Sequence, residues 1–238
     1  MNTITNFFSN FRRKNPQVLP DWWLAYESVF KNNSYKTPIQ QDTYVAFDTE
    51  TTGLDTKRHE LVSIGAVKIN AGAIESSKHF ERYFHVAEPC EYASVLIHGV
   101  LKTSGGTKTI EGIRDFLQFI GTSVLVGHHV NFDVAMINAV LKKTIGKTLK
   151  NKTIDTAHLD NRITVLENYQ YLKPPIESLD ALCRKYNIVM HDRHNAAGDA
   201  FLTAILFLKL TAKLKKRGVL TTNDLLNTGL THGLGNHG

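Results

Sequence analysis

The sequence predicts an α/β fold in which a mixed sheet carries helices on both faces. Three strand-like segments follow one another directly, and helical and strand-like segments then alternate to the end of the domain. Neighbouring strands joined by short turns pair antiparallel, whereas strands separated by helices favour parallel pairing, so one sheet would contain both kinds. With 238 residues, 42% of them hydrophobic, the chain can bury a core of the size this fold requires.

The first 42 residues are predicted to form an N-terminal extension with one amphipathic helix. Pro20 marks a helix start, and apolar residues then recur at helical spacing: Trp22, Trp23, Tyr26, Val29 and Phe30. We expect this helix to pack on its own domain. Binding of a partner through the paired tryptophans is the alternative.

The main domain is predicted to span residues 43–215. Its strand candidates have apolar or alternating patterns and cover 43–50, 60–69, 77–86, 123–129 and part of 152–159. Its helix candidates have apolar residues at helical spacing and cover about 93–101, 110–120, 131–143, 176–187 and 196–215. Residues 216–238 are expected to form a flexible tail, because their last part is rich in glycine.

Composition narrows the class of protein. The chain has 28 Lys and Arg against 22 Asp and Glu, and this excess is compatible with a polyanionic partner without requiring one. Cys90 and Cys183 lie far apart and outside any metal-ligand spacing, so neither a disulfide framework nor a zinc site is expected. The N-terminus lacks the pattern of a signal peptide, and the longest apolar run is too short to span a bilayer. We therefore expect a cytoplasmic protein with no membrane partner.

Two carboxylates, Asp48 and Glu50, end the first strand candidate, "TYVAFDTE". Side chains alternate faces along a strand, so these two point the same way. Like charges side by side near a core repel each other and lose hydration, and a divalent cation would compensate. An isolated D-x-E is usually only a polar strand end, so its meaning depends on the rest of the chain.

Two further aspartates and a histidine complete a candidate site. Asp133 lies in the first turn of a helix that follows a strand, where the helix dipole also favours a carboxylate. Asp199 lies on an apolar helical face, where an unpaired charge would cost several kcal/mol. His194 lies on the loop leading into that helix, where it is either a surface residue or part of the same site.

The four carboxylates suit hard cations if strand ends and helix starts bring them together. Oxygen ligands favour Mg²⁺ or Mn²⁺. Two such ions roughly 3.5–4 Å apart stabilise the attacking and leaving oxygens of a phosphodiester. A neutral histidine beside them can accept the proton of the attacking water. The sequence therefore predicts a metal-dependent phosphodiester hydrolase.

Four motifs in this order resemble the DnaQ-type 3′–5′ exonucleases that carry the DEDDh signature: "FDTETTGLD", "IHGV", "GHHVNFD" and "HNAAGDA". That group includes the proofreading epsilon subunit of bacterial DNA polymerase III. The resemblance covers about residues 43–212. It implies a ribonuclease H-like fold with a mixed five-stranded sheet, and an exonuclease domain over 43–215. It also implies hydrolysis with two metal ions that releases nucleoside 5′-monophosphates from a 3′ end.

The resemblance also assigns residues. It implies four metal ligands (Asp48, Glu50, Asp133 and Asp199), a general base (His194) and a terminal-nucleotide pocket (Thr51, Gly53, Leu54 and His98). One departure is visible, because His129 stands where many members have asparagine. We expect metal binding to be unaffected, whereas the support of the loop around His129 is left open.

We expect single-stranded 3′ ends as the substrate, with DNA favoured over RNA because "TETTGL" resembles the proofreading branch. A DNA polymerase or another replication or repair protein is the partner that this branch implies. One alternative is an exoribonuclease or oligonucleotide hydrolase of the same superfamily. Another is a catalytically silent module that binds nucleic acid or tethers a polymerase. A cluster of lysines is either a track for the phosphate backbone or a solvated surface: Lys142, Lys143, Lys147, Lys150 and Lys152.

Overall fold

The structure, a computed structural model, describes residues 18–31, 34–86, 106–167 and 175–227. Its strands are β1 (Tyr44–Thr51), β2 (Leu61–Asn70), β3 (Ala73–Tyr83), β4 (Val124–Gly127) and β5 (Thr153–Asp155). They form one five-stranded sheet in the order β3-β2-β1-β4-β5. β1 pairs antiparallel with β2 and parallel with β4, and β5 continues the parallel half. The predicted mixed sheet is therefore confirmed.

The helices in the described ranges are α1 (Asp21–Ser28), α2 (Thr109–Ile120), α3 (Asn131–Ile145), α4 (Thr156–Glu167), α5 (Leu179–Lys185), α6 (Ala196–Lys215) and α7 (Thr222–Leu226). A short 3₁₀ helix covers Ile39–Gln41. The sequence predicts all of the longer helices except α4. The helix expected at about 93–101 lies outside the described residues. Within the described ranges, no helix is both long enough and apolar enough to cross a membrane.

Alternation along β1 sends neighbouring residues to opposite faces of the sheet. Tyr44 and Ala46 belong to a buried cluster that includes the apolar residues of α6, and the Tyr44 and Phe207 rings lie 4.9 Å apart. Val45 and Phe47 belong to a second cluster, formed with α1, α2 and α3. Each face of the sheet is thus covered by helices, and the two cores lie on either side of β1.

The N-terminal helix is part of the second core. Trp23 is completely buried, and its ring lies 5.1 Å from that of Tyr26. The Tyr26 hydroxyl donates a hydrogen bond to Asn151, which precedes β5. Helix α1 therefore packs on its own domain, as expected.

Helix α7 lies within the segment expected to be a tail. A capping box at its start joins Thr221 and Asp224, and Leu225 is buried in the core shared with α6. The Ile39 N–H donates to the Leu220 carbonyl at 3.0 Å, so the connector before β1 holds this segment. Short local signals such as a capping box are easily missed beside a glycine-rich end.

Candidate active site

Three of the predicted metal ligands converge where β1 ends. Asp48 and Glu50 point to the face covered by α6, and Asp199 lies in the first turn of that helix. One carboxylate oxygen of each lies within 4.8 Å of the others. Such a set of oxygen donors fits a hard divalent cation.

A glycine allows α6 to approach this closely. Gly65 on β2 is paired with Asp48 on β1. A Cβ atom at position 65 would come within 2.2 Å of the backbone carbon of Ala196, the first residue of α6. Asn195 caps the helix by accepting a hydrogen bond from the Gly198 N–H at 2.7 Å. The start of α6, and with it Asp199, is therefore fixed directly against the strand.

Asp133 reaches the site from the opposite face of the sheet. Helix α3 follows β4, which runs parallel to β1, so α3 starts at the end of the sheet where Asp48 lies. The backbone N–H and the hydroxyl of Thr49 both donate to Oδ1 of Asp133, at 3.0 and 2.6 Å. Asp133 is not part of the group of three carboxylates that lie within 4.8 Å, but it is the neighbouring charge that most raises the pKa of Asp48.

Burial and mutual repulsion shift the acidity of this cluster. Burial, together with the charges of Asp133 and Asp199, raises the pKa of Asp48 well above its ordinary value. Burial and the same two aspartates raise the pKa of Glu50 to about 7. Burial also raises the pKa of Asp133 to about 7, against the lowering effect of its bonds from Thr49. A bound dication would reverse these shifts by favouring the charged forms.

An arginine that sequence reasoning missed lies at the site. Nη1 of Arg193 forms an ion pair with Oδ1 of Asp199, and its Nε donates to Oδ1 of Asp180 at 2.6 Å. The side chain of Arg193 is 19% exposed. One arginine in the loop before a helix gives no pattern from which this pairing could be predicted.

His194 lies in the turn that leads into α6, with its side chain exposed and its backbone at φ 65°. It offers no nitrogen to the group of three carboxylates. Its position beside the start of α6 agrees with the loop predicted for it. Its role as a general base stays a prediction.

Three of the residues predicted to form a nucleotide pocket lie at the end of β1 and in the turn that follows it. Thr51 is buried and donates to the Gly53 carbonyl at 2.8 Å. Gly53 lies against the ring of His59, so that a Cβ there would be 2.6 Å from it. Leu54 is 81% exposed, so its apolar side chain is available to a ligand. His98 lies outside the described residues.

The loop around His129 is held by Asp155. This carboxylate accepts backbone N–H bonds from His129, Val130 and Ala157, at 3.3, 3.1 and 2.9 Å. His129 has φ 59°, a left-handed conformation in which asparagine and histidine are both enriched. The replacement of asparagine by histidine is therefore compatible with the backbone, and its exposed side chain leaves Asp133 in place.

The neighbouring His128 has a structural role. Its Nδ1 lies 2.9 Å from the Thr156 hydroxyl, and its Nε2 lies 3.0 Å from the Glu177 carbonyl. Burial, with a smaller contribution from His129, lowers the pKa of His128 to about 4. The ring is therefore neutral near pH 7, with Nε2–H donating to the carbonyl and Nδ1 accepting from the hydroxyl. It ties the start of α3 to the segment before α5.

The predicted lysine track lies away from the carboxylates. Lys142 and Lys143 are in the last turn of α3, whereas Asp133 is in its first turn. Lys142 lies nine positions after Asp133, which is roughly 13 Å along the helix axis. Lys150 pairs with Glu27 at 3.1 Å. The lysine cluster therefore lies near the end of the sheet opposite to the carboxylates.

Comparison with known proteins agrees with this arrangement. A family model described as an exonuclease (RNase_T) matches residues 45–207. The chain is 30% identical over 203 residues to a DNA polymerase III PolC-type of Thermotoga petrophila, covering 84% of this chain and 14% of that protein. It is 34% identical over 203 residues to a DNA polymerase III subunit epsilon-like protein of Rhodobacter capsulatus, covering 83% of this chain and 28% of that protein. The chain thus spans only a minor part of these relatives.

Solved structures share the fold. Exonuclease I of E. coli in complex with a dT13 oligonucleotide superposes with a TM-score of 0.60 at 17% identity, covering 74% of this chain and 41% of that one. Exonuclease I of Methylocaldum szegediense gives the same TM-score, identity and coverage. At these identities the likeness supports the fold alone.

Proposed function

Because this chain belongs to the RNase_T exonuclease family, we propose that it is a divalent-metal-dependent 3′–5′ exonuclease that releases nucleoside 5′-monophosphates. The family match also agrees with the predicted resemblance to DnaQ-type exonucleases, as does the relative named as epsilon-like. The observation that carries the proposal is the convergence of Asp48, Glu50 and Asp199 within 4.8 Å, with Asp133 beside them.

Each residue of the site has a proposed role in phosphodiester hydrolysis. Asp48, Glu50, Asp133 and Asp199 would hold two Mg²⁺ or Mn²⁺ ions. When bound, such ions neutralise charge on the phosphodiester and lower the pKa of water. Thr49 fixes the orientation of Asp133. His194 would accept the proton of the attacking water from its position before α6.

We propose DNA with a single-stranded 3′ end as the substrate. The relatives named above are DNA polymerase III proteins, and one of the similar solved structures holds a dT13 oligonucleotide. The buried Thr51 and Gly53 would shape a pocket for the terminal nucleotide, with His98 as a further contact. The exposed Leu54 would pack against its base. A cytoplasmic location and a polymerase or repair protein as partner agree with these relatives.

Two other functions follow from the same fold. An exoribonuclease or oligonucleotide hydrolase would use the same metal ligands and recognise the 2′-hydroxyl. A catalytically silent module that binds nucleic acid or tethers a polymerase would need none of these metal ligands. The complete set of carboxylates and His194 argues against a silent module.

The test is an assay with single-stranded DNA, duplex DNA and RNA, each labelled at either the 5′ or the 3′ end, in Mg²⁺, Mn²⁺ or EDTA. We expect a 3′ label on single-stranded DNA to be released as a mononucleotide, and a 5′ label to give a ladder. EDTA should abolish the release of the mononucleotide and the formation of the ladder.

Asp48→Ala should remove activity while the fold, followed by circular dichroism, survives. Activity retained in that variant, once contamination is excluded, would contradict the metal mechanism.

A further inference from the structure

Arg193 is the one cation recorded in contact with the carboxylate cluster among the described residues. Its Nη1 pairs with Asp199 and its Nε with Asp180, so the two carboxylates hold different atoms of one guanidinium. The side chain of Asp199 is 10% exposed, and that of Asp180 is 37% exposed. The guanidinium of Arg193 therefore joins the partly exposed Asp180 to the buried Asp199.

The contact involves an atom that the proposed function needs. The Asp199 carboxylate belongs to the group of three that would bind a cation. An oxygen paired with a guanidinium gives up part of its negative charge to that partner, so it is a weaker ligand for a metal ion. Burial raises the pKa of Asp48 and Glu50, whereas Arg193 is the neighbour that lowers both. Its charge thus acts on Asp48 and Glu50 in the same direction as a bound cation would.

We propose that Arg193 competes with the metal ion for Asp199 and must leave this carboxylate when the site is loaded. Asp180 then keeps the guanidinium beside the site through the Nε bond, which does not involve the metal ligands. The inference rests on the proposed metal site. It makes Arg193 a residue that sets metal affinity, so that the enzyme loads at a higher metal concentration than its four carboxylates alone would require.

The test is calorimetric titration of Mn²⁺ into the full chain, without nucleic acid, for the wild type, Arg193→Gln, Arg193→Lys and Arg217→Gln. Arg193→Gln should bind Mn²⁺ about 3- to 10-fold more tightly, the scale on which a typical hydrogen bond contributes net free energy. Arg193→Lys should lie between it and the wild type, because a single ammonium lacks the planar fork that joins both carboxylates. Arg217→Gln removes the same charge from an exposed turn after α6 and should match the wild type.

Thermal unfolding provides a second measurement. In EDTA, Arg193→Gln should melt at a lower temperature than the wild type, because the carboxylates lose their counter-ion. Addition of Mn²⁺ should raise the melting temperature of Arg193→Gln by more than it raises that of the wild type. If Arg193→Gln does not fold, Arg193→Lys must still bind more tightly than the wild type. Unchanged or weaker Mn²⁺ binding in variants that fold would overturn the proposal and make Arg193 a support for Asp199. A wild type that binds no Mn²⁺ would instead refute the metal site itself.

Discussion

Both hydrogen-bond donors of Thr49 converge on a single oxygen of Asp133. Thr49 points to the face of β1 opposite to Asp48 and Glu50, which is the face covered by α3. The strand end therefore holds carboxylates from both faces of the sheet at once. Two bonds to Oδ1 leave Oδ2 of Asp133 available to a metal ion.

Replacing Thr49 by valine should loosen Asp133 without changing the shape of the core. The backbone bond remains, whereas the hydroxyl bond of 2.6 Å is lost. We expect the free energy of unfolding near pH 8 to fall by about 1.5–3 kcal/mol, the range for a hydrogen bond to a charged group. The kcat should also fall, with KM less affected. Thr49→Ser keeps the hydroxyl and should behave like the wild type, so equal losses in both variants would contradict this role.

Gly65→Ala should displace the start of α6, because the new Cβ would overlap the backbone of Ala196. We expect a loss of about 2 kcal/mol or more in unfolding free energy, typical of overpacking in a core. Mn²⁺ affinity should fall as Asp199 moves away from β1. Gly218→Ala is the control, since nothing lies near its Cβ position and only its φ of 84° is strained. Metal affinity that survives Gly65→Ala would show that α6 does not depend on this contact.

The stability of the metal-free protein should fall as pH rises. The pKa of Glu50 is raised from 4.5 to about 7 in the folded state. Its neutral form therefore stabilises the fold below about pH 4.5, and this stability is lost as pH rises through 7. The shift corresponds to about 3 kcal/mol.

Melting in EDTA between pH 5 and pH 8 should show this loss, and Mn²⁺ should oppose it at the upper end. Asp48→Asn should flatten the dependence, since it removes a second carboxyl group whose own pKa is raised in the folded state. Asp21→Asn changes an exposed residue in the first turn of α1 and should leave the pH dependence of the melting temperature unchanged. A melting temperature that rises steadily over this range would refute the raised pKa values.

His194→Ala should lower the rate about 10²–10⁴-fold, the usual contribution of a positioned base. Mn²⁺ affinity measured by calorimetry should be nearly unchanged, because the imidazole is not a proposed ligand. His191→Ala removes an exposed histidine from the same loop and should keep full activity. If His194→Ala loses metal affinity in proportion to rate, His194 is a ligand or a structural support instead.

Replacing Lys142, Lys143 and Lys147 by glutamine should affect long substrates only. Lys142 and Lys143 lie in the last turn of α3, far from Asp133, and Lys147 follows the end of that helix. An oligonucleotide of a few residues should be cleaved as before, whereas binding of long single strands should weaken and its salt dependence should flatten. Lys209, Lys215 and Lys216, changed together, provide a control with the same loss of charge. An unchanged salt slope on long strands would identify the cluster as a solvated surface.

The sequence was sufficient to predict the sheet, α3, α6 and the carboxylates, because each depends on a local pattern. Helix α4 was missed because two of its five buried positions, Thr156 and Asp160, are polar. Asp160, for example, is buried yet accepts bonds from Lys185 and from the Tyr186 hydroxyl. The partners that make such a position stable come from α5 and the residue after it, and periodicity does not reveal them.

The sequence predicted that carboxylates would converge at this site, but it did not predict the residues that support them. Asp48 and Glu50 could be placed on one face by alternation alone. The bond from Thr49 to Asp133 and the pairing of Arg193 depend on how separate elements meet. Ordinary residue types fill both roles, so no motif distinguishes them from surface threonines and arginines.

The proposed metal ligands are also spread along the chain in a way that affects folding. Asp48 and Glu50 come from the first strand of the sheet, whereas Asp199 comes from α6, the last long helix described. Contacts between such distant segments close long loops and form late. A ribosome-bound chain that has not yet emerged past α6 would carry an incomplete site. The proposed hydrolysis of nucleic acid would therefore begin only after the whole domain has been synthesised and has folded.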